Sequence, residues 1–510
     1  MNKRVISLFL IPFLLFYALP VQAVENEERS WQEEIMYFIM VDRFNNGDPT
    51  NDYEVDRNDP KAYQGGDIKG ITAKLDYIKG MGFTAIWLTP IFKNEPKGYH
   101  GYWTEDFYEV EENFGTLEDF KELVNEAHKR DIKVVLDFVV NHTGYQNPWL
   151  EDPDKQDWFH ERKDIINWNS QEQIENRQLY GLPDLAQENP ETKEYLLEVA
   201  KWWIQETDID GYRLDTVRHV PKWFWEEFAT AVKSVKEDFF LLGEVWDDDP
   251  SYVADYTKTG IDSVVDYPFF NEAARVFSSP DQSLDRLDTV WQRNKTLYEN
   301  PYILGNFIDN HDNVRFTRRA LQQQENPITR LKLALSYLYT APGIPIVYYG
   351  TEIAMDGGED PDNRRLMDFR TDDELVNYIT KLSNLRKNNS ALTEGDFELL
   401  HDDKGMAVFK RTNEDNTIII AINNSSESKR FDLSNEVIEP NMQLTGTLTD
   451  DVIPGNSDGY TIILDRELAE VYVLTEKQGA NIPIISVFIL VPLATVGFFL
   501  LNRRRLKKKD

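Results

Sequence analysis

The sequence predicts an α/β fold whose main unit is a closed (β/α)8 barrel, and two observations indicate it. First, eight short apolar runs that favour β-strands recur along the 510-residue chain. Second, amphipathic stretches such as 117–130 and 192–206 separate several of these runs and carry apolar residues at helical spacing. Parallel strands joined by helical crossovers explain this alternation, and eight of them fit a TIM barrel. The strand-like runs are residues 36–41, 85–89, 133–140, 211–217, 239–245, 263–267, 304–308 and 344–349.

Two further regions complete the predicted body of the protein. An irregular stretch at 144–188 is rich in Asn, Asp, Gln and Trp, which indicates a subdomain (domain B) inserted after the third strand. The barrel (domain A) then comprises residues 31–143 and 189–386. After residue 386 the pattern changes to short β segments separated by Asn, Asp and Gly, so a C-terminal antiparallel β-sandwich (domain C) is expected over 387–475.

Both termini have the composition of targeting segments. Residues 1–23 combine Lys3 and Arg4 with an apolar run and a small-residue cleavage pattern ending at Ala23, which predicts a signal peptide; an uncleaved anchor or an interior helix is the alternative. Residues 482–501 are apolar and uncharged and precede a basic tail at 502–510, which predicts a transmembrane helix rather than a buried core helix. Together these segments predict an extracellular protein anchored in the bacterial cytoplasmic membrane.

Net charge and the absence of cysteine limit the classes of ligand that the protein is expected to bind. The formal net charge of −34 disfavours nucleic acid and anionic substrates and suits a neutral polymer, although solubility alone could explain it. Carboxylates are also ligands that calcium prefers. Because the chain has no cysteine, no disulfide or thiolate-bound metal stabilises it, and a bound metal could take that stabilising role.

Polar residues end four of the predicted strands, where a barrel of this kind holds its catalytic groups. Asp215, Glu244 and Asp312 each follow an apolar run, so we expect three carboxylates to converge on one pocket. Taken singly, such a carboxylate more often belongs to a surface salt bridge. The strand ends read 137-DFVVNH-142, 211-GYRLD-215, 243-GEVW-246 and 307-FIDNHD-312.

Two of these carboxylates have the chemistry of a retaining glycosidase. Such an enzyme needs two carboxyl groups about 5 Å apart, one that attacks the anomeric carbon and one that protonates the leaving oxygen. Arg213 lies two residues before Asp215 and therefore on the same face of the strand, which places a positive charge beside that carboxyl group. Glu244 needs a raised pKa to act as the acid, and apolar walls and nearby Asp215 would raise it.

These four strings resemble the conserved regions of the α-amylase family, glycoside hydrolase family 13, over residues 36 to about 386. Their motifs are similar to those of bacterial α-amylases and of the catalytic domains of cyclodextrin glucanotransferases. The resemblance implies that Asp215 is the nucleophile, Glu244 the proton donor and Asp312 the stabiliser of the transition state. It also implies a set of residues that contact the sugar. Without the resemblance, an aromatic residue would more often belong to the hydrophobic core, and a lone His would more often have a structural role. The implied contacts are Tyr102, Trp103, His142, Tyr180, Arg213, Arg218, His219, His311, Asp360 and Arg364.

The resemblance also implies one or two structural calcium ions. The first set is Asn46, Asp48, Asn51, Asp52, Gly65 and Asp67, which resembles the amino-terminal calcium loop of cyclodextrin glucanotransferases and neopullulanases but alone is more typical of a solvated turn. The second set corresponds to the family site between barrel and insertion. It comprises Asn141, Asp184, the backbone carbonyl of His219 and, as a weaker candidate, Glu175.

The expected activity is retaining endo-hydrolysis of α-1,4-glucosidic bonds in starch, glycogen and maltooligosaccharides. A transglycosylating glucanotransferase or a maltogenic or neopullulanase-type amylase is the alternative within the same class. Tyr180 favours this alternative, because it occupies the place of a large aromatic residue in relatives that transfer sugar chains. A catalytically silent sugar-binding barrel is the hypothesis from a different class. The sequence does not indicate an oligomeric state.

Overall fold

The structure is a computed structural model that describes residues 29–370, 372–439 and 442–477. The predicted signal peptide at 1–23, transmembrane segment at 482–501 and basic tail at 502–510 lie outside the described residues.

Eight parallel strands form the central sheet, as the sequence predicts. Their order in the sheet is β6-β5-β4-β3-β2-β1-β8-β7, and a parallel bridge between Val265 and Gly305 joins the two ends of this order. The strands therefore enclose a nearly closed barrel that fits the predicted (β/α)8 fold. The strands are β1 Met36–Ile39, β2 Ala85–Leu88, β3 Lys133–Phe138, β4 Gly211–Leu214, β5 Phe240–Gly243, β6 Ser263–Val264, β7 Gly305–Phe307 and β8 Ile344–Tyr348.

Helices connect the strands and cover the barrel, and local sequence signals set their ends. For example, a reciprocal capping box between Thr116 and Asp119 begins α4. Asn189 caps α6, which carries a proline at its first position. The helices are α1 Val41–Phe44, α2 Ile68–Thr72, α3 Leu75–Gly80, α4 Leu117–His128, α5 Gln171–Glu175, α6 Pro190–Thr207, α7 Lys222–Lys233, α8 Pro250–Asp255, α9 Tyr267–Phe277, α10 Asp285–Leu297, α11 Phe316–Gln322, α12 Pro327–Thr340 and α13 Glu374–Lys387.

The predicted membrane-spanning helix, and with it the membrane-anchored location, has to be corrected. Within the ranges that the structure describes, no helix is both long enough and apolar enough to cross a membrane. The longest of these helices, α6, has 18 residues, but only one of its faces is apolar. Leu196, Val199 and Trp203 on that face are buried, whereas Glu191 and Glu198 are exposed.

Two irregular segments lie at the carboxyl ends of the strands. A hairpin of Phe92–Asn94 and Thr104–Val110 follows β2. The region 144–188 follows β3 and contains short helical turns, and bridges from His142 to Asp184 and from Phe159 to Leu185 tie its end back to its beginning. Both segments therefore contribute to the mouth of the barrel.

A second, antiparallel unit follows the barrel and fits the predicted C-terminal β domain. Its main sheet has the order β9-β10-β11-β16-β13-β14, and β12 pairs with β15. Arg411, which is buried, donates from Nη1 to the carbonyl of Thr340 at the end of α12, at 2.6 Å, so this unit is joined to the barrel through a buried hydrogen bond. The strands are β9 Asp396–Asp403, β10 Met406–Thr412, β11 Thr417–Asn423, β12 Lys429–Leu433, β13 Met442–Gly446, β14 Val452–Pro454, β15 Tyr460–Leu464 and β16 Leu468–Glu476.

Candidate active site

A pocket of about 490 Å³ opens at the carboxyl ends of the barrel strands. The structure brings all three predicted catalytic carboxylates to this pocket, together with every predicted sugar contact except Arg213, which lies buried beneath them. The predicted residues that line the pocket are Tyr102, Trp103, His142, Tyr180, Asp215, Arg218, His219, Glu244, His311, Asp312, Asp360 and Arg364.

Arg213 connects the two carboxylates expected to react. It lies on β4 and is 1% exposed. Its Nη1 is 2.7 Å from Oδ1 of Asp215, and its Nη2 is 2.6 Å from Oε1 of Glu244, which follows β5. Because both carboxylates contact one planar guanidinium, they face the same small volume, as a retaining pair about 5 Å apart requires.

Glu244 lies in an environment that favours its protonated form. Burial raises its pKa to about 8, with the negative charges of Asp215 and Asp312 adding to the rise and the charge of Arg213 opposing it. The Tyr267 hydroxyl donates to Oε1 of Glu244 at 3.0 Å, and the backbone N–H of Thr216 donates to Oε2 at 3.2 Å. The carboxyl group can therefore hold a proton at neutral pH.

This pKa predicts a pH profile. If Glu244 acts as the acid, kcat/KM is expected to stay level toward pH 8 and to fall about tenfold per pH unit above it, because the protonated fraction decreases. Tyr267→Phe removes a donor that favours the carboxylate form, so the alkaline fall should move to higher pH. Steady-state kinetics between pH 5 and 10 measure the profiles of the parent and of Tyr267→Phe. A fall in kcat/KM that begins below about pH 6 would contradict the assignment of Glu244 as the acid.

Asp137 is a central residue of the site that the sequence analysis did not select. It is fully buried on β3 and accepts from Nη1 of Arg213 at 2.9 Å and from the hydroxyl of Tyr102 at 2.7 Å. The indole N–H of Trp87 donates to the same carboxyl group at 3.2 Å. Burial raises the pKa of Asp137 to about 7, and Arg213 opposes this rise. Asp137 therefore orients Tyr102 and Arg213 from below the pocket.

Asp312 lines the same pocket and lies beside Arg364 and His311. Nη2 of Arg364 lies 3.4 Å from Oδ1 of Asp312, and Nε2 of His311 lies 3.3 Å from Oδ2. Burial raises the pKa of Asp312, and Arg364 opposes the rise. Arg364 also contacts Asp360 at 3.1 Å, so these predicted residues form one charged group.

The histidines of the pocket are neutral groups beside these charges. Burial lowers the pKa of His142 and of His311, and it lowers that of His219 to about 4. The ring of Tyr102 stacks on His311 and on His100, with centroids 5.3 and 5.8 Å apart. A neutral, partly aromatic wall suits the weakly polar faces of a sugar ring.

The rim of the pocket carries exposed aromatic side chains that sequence reasoning partly missed. Tyr180, which was predicted, is 82% exposed and has a φ of 52°. Trp168 and Trp246, which were not, are 45% and 50% exposed, and Trp246 stacks on Tyr267 at 5.0 Å. Tyr145 lines the same rim. Large exposed aromatic surfaces in a pocket are typical of ligand contacts.

The structure gathers only part of the first predicted calcium set. Asn46 donates to both oxygens of Asp52 at 2.9 and 3.0 Å, and the side-chain oxygen of Asn51 is buried without a hydrogen-bond partner. Asp48, however, pairs with Lys69 at 2.7 Å.

The remaining members of that set have separate structural roles. Asp67 caps α2 by accepting from the backbone N–H of Gly70 at 2.6 Å and accepts from the backbone N–H of Asp48 at 2.8 Å. Gly65 has a φ of 90°, and its Cα faces Asn46 and Asp52 closely enough that a Cβ would clash with both. This loop is therefore held by hydrogen bonds that use most of its oxygen atoms.

The second predicted calcium set is better assembled. Nδ2 of Asn141 lies 2.9 Å from Oδ1 of Asp184 and 3.1 Å from the carbonyl oxygen of His219. The other oxygen of Asp184 contacts Nδ1 of His160 at 2.6 Å. Glu175 instead pairs with Gln171 at 2.6 Å. Over the described ranges, no cluster of three or more His, Cys, Asp or Glu side chains has the arrangement of a metal site.

Comparison with known proteins agrees with the barrel and its second unit. The family described as alpha amylase, catalytic domain, matches residues 38–369, and the alpha-amylase C-terminal domain matches residues 395–472. A beta/alpha-amylase of Paenibacillus polymyxa is 39% identical over 459 residues, which are 87% of this chain. The chain spans only 38% of that protein's length.

Two further similarities cover a larger share of the matched protein. A cyclomaltodextrinase of Thermoanaerobacter pseudethanolicus is 35% identical over 419 residues, or 78% of this chain and 71% of that protein. A crystal structure of an Anoxybacillus α-amylase is 68% identical with a TM-score of 0.88 and covers 89% of this chain and 100% of its own. The chain therefore belongs to the α-amylase family, glycoside hydrolase family 13, and is a glycoside hydrolase.

Proposed function

We propose that the protein cleaves α-1,4-glucosidic bonds in maltooligosaccharides and related α-glucans with net retention of configuration. The observation that supports this most directly is the pair of carboxylates on one guanidinium, with Asp215 and Glu244 at 2.7 and 2.6 Å from Arg213. A silent sugar-binding barrel has no need of such a pair.

In the proposed mechanism Asp215 attacks the anomeric carbon while Glu244 gives its proton to the leaving oxygen. The bond from the anomeric carbon to the leaving oxygen breaks, and a glycosyl ester forms on Asp215. Glu244, now a carboxylate, then takes a proton from water, whose oxygen displaces Asp215. Asp312 binds hydroxyl groups of the same sugar, and Asp137 holds Arg213 and Tyr102 in place.

At a finer level, we propose a maltogenic or cyclomaltodextrinase-type enzyme that also transfers sugar chains. Several similar curated proteins carry the names cyclomaltodextrinase, maltogenic α-amylase and neopullulanase. Tyr180 at the rim supports transfer, because an exposed ring can hold an acceptor sugar where water would otherwise react. Strict endo-hydrolysis of starch is the second candidate, which the 68% identity to an α-amylase of known structure favours.

Product analysis distinguishes these activities. With maltoheptaose and β-cyclodextrin as substrates, we expect ring opening, maltose and maltotriose, and a minor fraction of products longer than maltoheptaose. Tyr180→Ala should reduce the long products several-fold relative to hydrolysis, whereas Tyr53→Ala, which alters an exposed ring outside the pocket, should leave the ratio unchanged. Internal cleavage of starch with no action on β-cyclodextrin and no long products would instead support the second candidate.

We also propose a structural calcium ion at the second predicted set. Three oxygen-bearing groups meet there: the side chains of Asn141 and Asp184 and the carbonyl of His219. Burial raises the pKa of Asp184 to about 7, and a cation would offset the cost of ionising this buried carboxyl group. The side-chain oxygen and nitrogen of Asn141 can exchange places by rotation, which would turn its oxygen to the ion. The ion would tie the insertion to the barrel.

Chelation is therefore expected to lower the melting temperature by several degrees, and added calcium to restore it, because a ligand at a hundred times its Kd stabilises the folded state by about 2.7 kcal/mol. Asp184→Asn should abolish this response. Asp48→Asn should preserve it, since Asp48 pairs with Lys69. Differential scanning calorimetry measures the shift, and a melting curve unchanged by excess chelator would contradict the calcium site.

A further inference from the structure

A second cavity, of about 550 Å³, lies beside the active pocket and shares no lining residue with it. It is formed where α5 of the insertion meets the start of α7 and the helix α8. Gln171, Glu175, Glu188, Lys222, Trp223 and Tyr252 contribute to its wall. Neither the proposed mechanism nor the proposed calcium ion uses this cavity.

Trp223 is the unusual residue of this wall. It is 39% exposed at the second position of α7, although the next two residues, Phe224 and Trp225, are fully buried in the core. The ammonium group of Lys193 lies 5.6 Å from the centre of the Trp223 ring and helps to fix its orientation. An indole held at the edge of a cavity offers an apolar plate to a ligand.

The polar groups around this plate are fixed in place. The Tyr252 hydroxyl donates to the side-chain oxygen of Gln171 at 2.6 Å, and the Gln171 amide donates to Glu175 at 2.6 Å. Glu188 adds a second carboxylate, one oxygen of which lies 2.9 Å from Nε2 of His160. Carboxylate oxygens accept hydrogen bonds from hydroxyl groups, whereas two carboxylates in a chain with a net charge of −34 disfavour an anionic ligand.

We propose that this cavity is a second binding site for a neutral α-glucan chain, with Trp223 stacking on a glucose unit and Glu175 and Glu188 accepting from its hydroxyl groups. This inference rests on the proposed function, because it takes the same polymer as the ligand. The two sites share a wall: Arg218 lines the active pocket, and its carbonyl accepts from the Gln171 amide at 3.1 Å. The two cavities are therefore neighbours, and the proposed second site would hold a long chain next to the active pocket.

Calorimetric titration of the full chain with maltoheptaose tests the site, in an Asp215→Asn background that prevents turnover. We expect two binding events, and only one after Trp223→Ala. Trp223→Phe, which keeps an aromatic plate, should retain two, and the one event that remains in the alanine variant shows that this variant is folded. Tyr53→Ala, an exposed aromatic outside both cavities, should also retain two.

A single event in the parent and in every variant would overturn the second site while leaving the active pocket intact. A different result would contradict the proposed function: no binding of maltoheptaose to the Asp215→Asn variant and no release of reducing ends by the unmodified protein. Kinetics give an independent readout: Trp223→Ala should raise KM for soluble starch roughly 3- to 10-fold and leave kcat/KM for maltotriose unchanged. Equal changes for both substrates would contradict the proposal.

Discussion

Asp215→Asn is expected to lower kcat on maltooligosaccharides by roughly 10⁴-fold or more. Asparagine has the same shape and can still accept from Arg213, whose Nη1 lies 2.7 Å from the Asp215 carboxylate. It lacks the negative oxygen that attacks the anomeric carbon, so the first chemical step is removed without loss of the pocket. Steady-state release of reducing ends measures the effect.

The control for this variant is another carboxylate of the barrel. Asp262 pairs with Lys233 at 2.6 Å and does not line the active pocket. Asp262→Asn should change kcat by less than about twofold, in line with other partly exposed ion pairs. If Asp215→Asn retained more than a few per cent of the parent activity, with residual parent enzyme excluded by mass spectrometry, the nucleophile would have to be a different residue.

Glu244→Ala is the second variant for which we expect a large loss of activity. Its kcat on maltooligosaccharides should fall by about 10²- to 10⁴-fold. The loss should be much smaller for a maltosyl fluoride, because fluoride leaves without a proton from Glu244. The same variant should lose the alkaline fall in kcat/KM that the raised pKa of Glu244 predicts.

Azide provides a matched control for Glu244. The alanine variant leaves space beside Arg213 and Tyr267, where azide can attack the glycosyl ester on Asp215 and give a glycosyl azide with the substrate's own configuration. Glu244→Gln fills that space and should not be rescued. Equal losses for the fluoride and the natural substrate, with no azide product, would argue against Glu244 as the acid and base.

Much of the fold could be predicted from the sequence because the barrel follows from a simple alternation. Eight apolar runs and intervening amphipathic segments specify parallel strands, and this topology sends the carboxyl end of each strand to the same side. That is why Asp215, Glu244 and Asp312, which are far apart in sequence, could be expected to meet, and the structure brings all three to one pocket.

Other parts of the site depend on packing that no local pattern contains. Asp137 was visible at a strand end, but its importance comes from Trp87 and Tyr102, which reach it from other strands and loops. Trp168 lies in the insertion, where the sequence has no periodicity to indicate which rings face the pocket. A signal did exist for Trp246, since it directly follows the strand end that carries Glu244.

The first calcium loop stays a prediction, because its carboxylates also lie at positions that favour helix caps. Asp48 precedes Pro49 and Asp67 precedes α2, and both positions are typical of helix caps. The structure uses both carboxylates in this way, so fewer oxygen atoms remain for an ion. The predicted membrane helix was based on an uncharged apolar run followed by a basic tail, and within the described ranges no helix is both long enough and apolar enough to cross a membrane.

Trapping the covalent intermediate tests the central claim most directly. A 5-fluoro glycosyl fluoride slows both chemical steps but keeps a good leaving group, so the glycosyl ester should accumulate on the enzyme. Peptide mass spectrometry is expected to find one added sugar on the peptide that contains Asp215, and none in Asp215→Asn. A label on a different carboxylate, or a first product of inverted configuration with no label, would contradict the double displacement at Asp215.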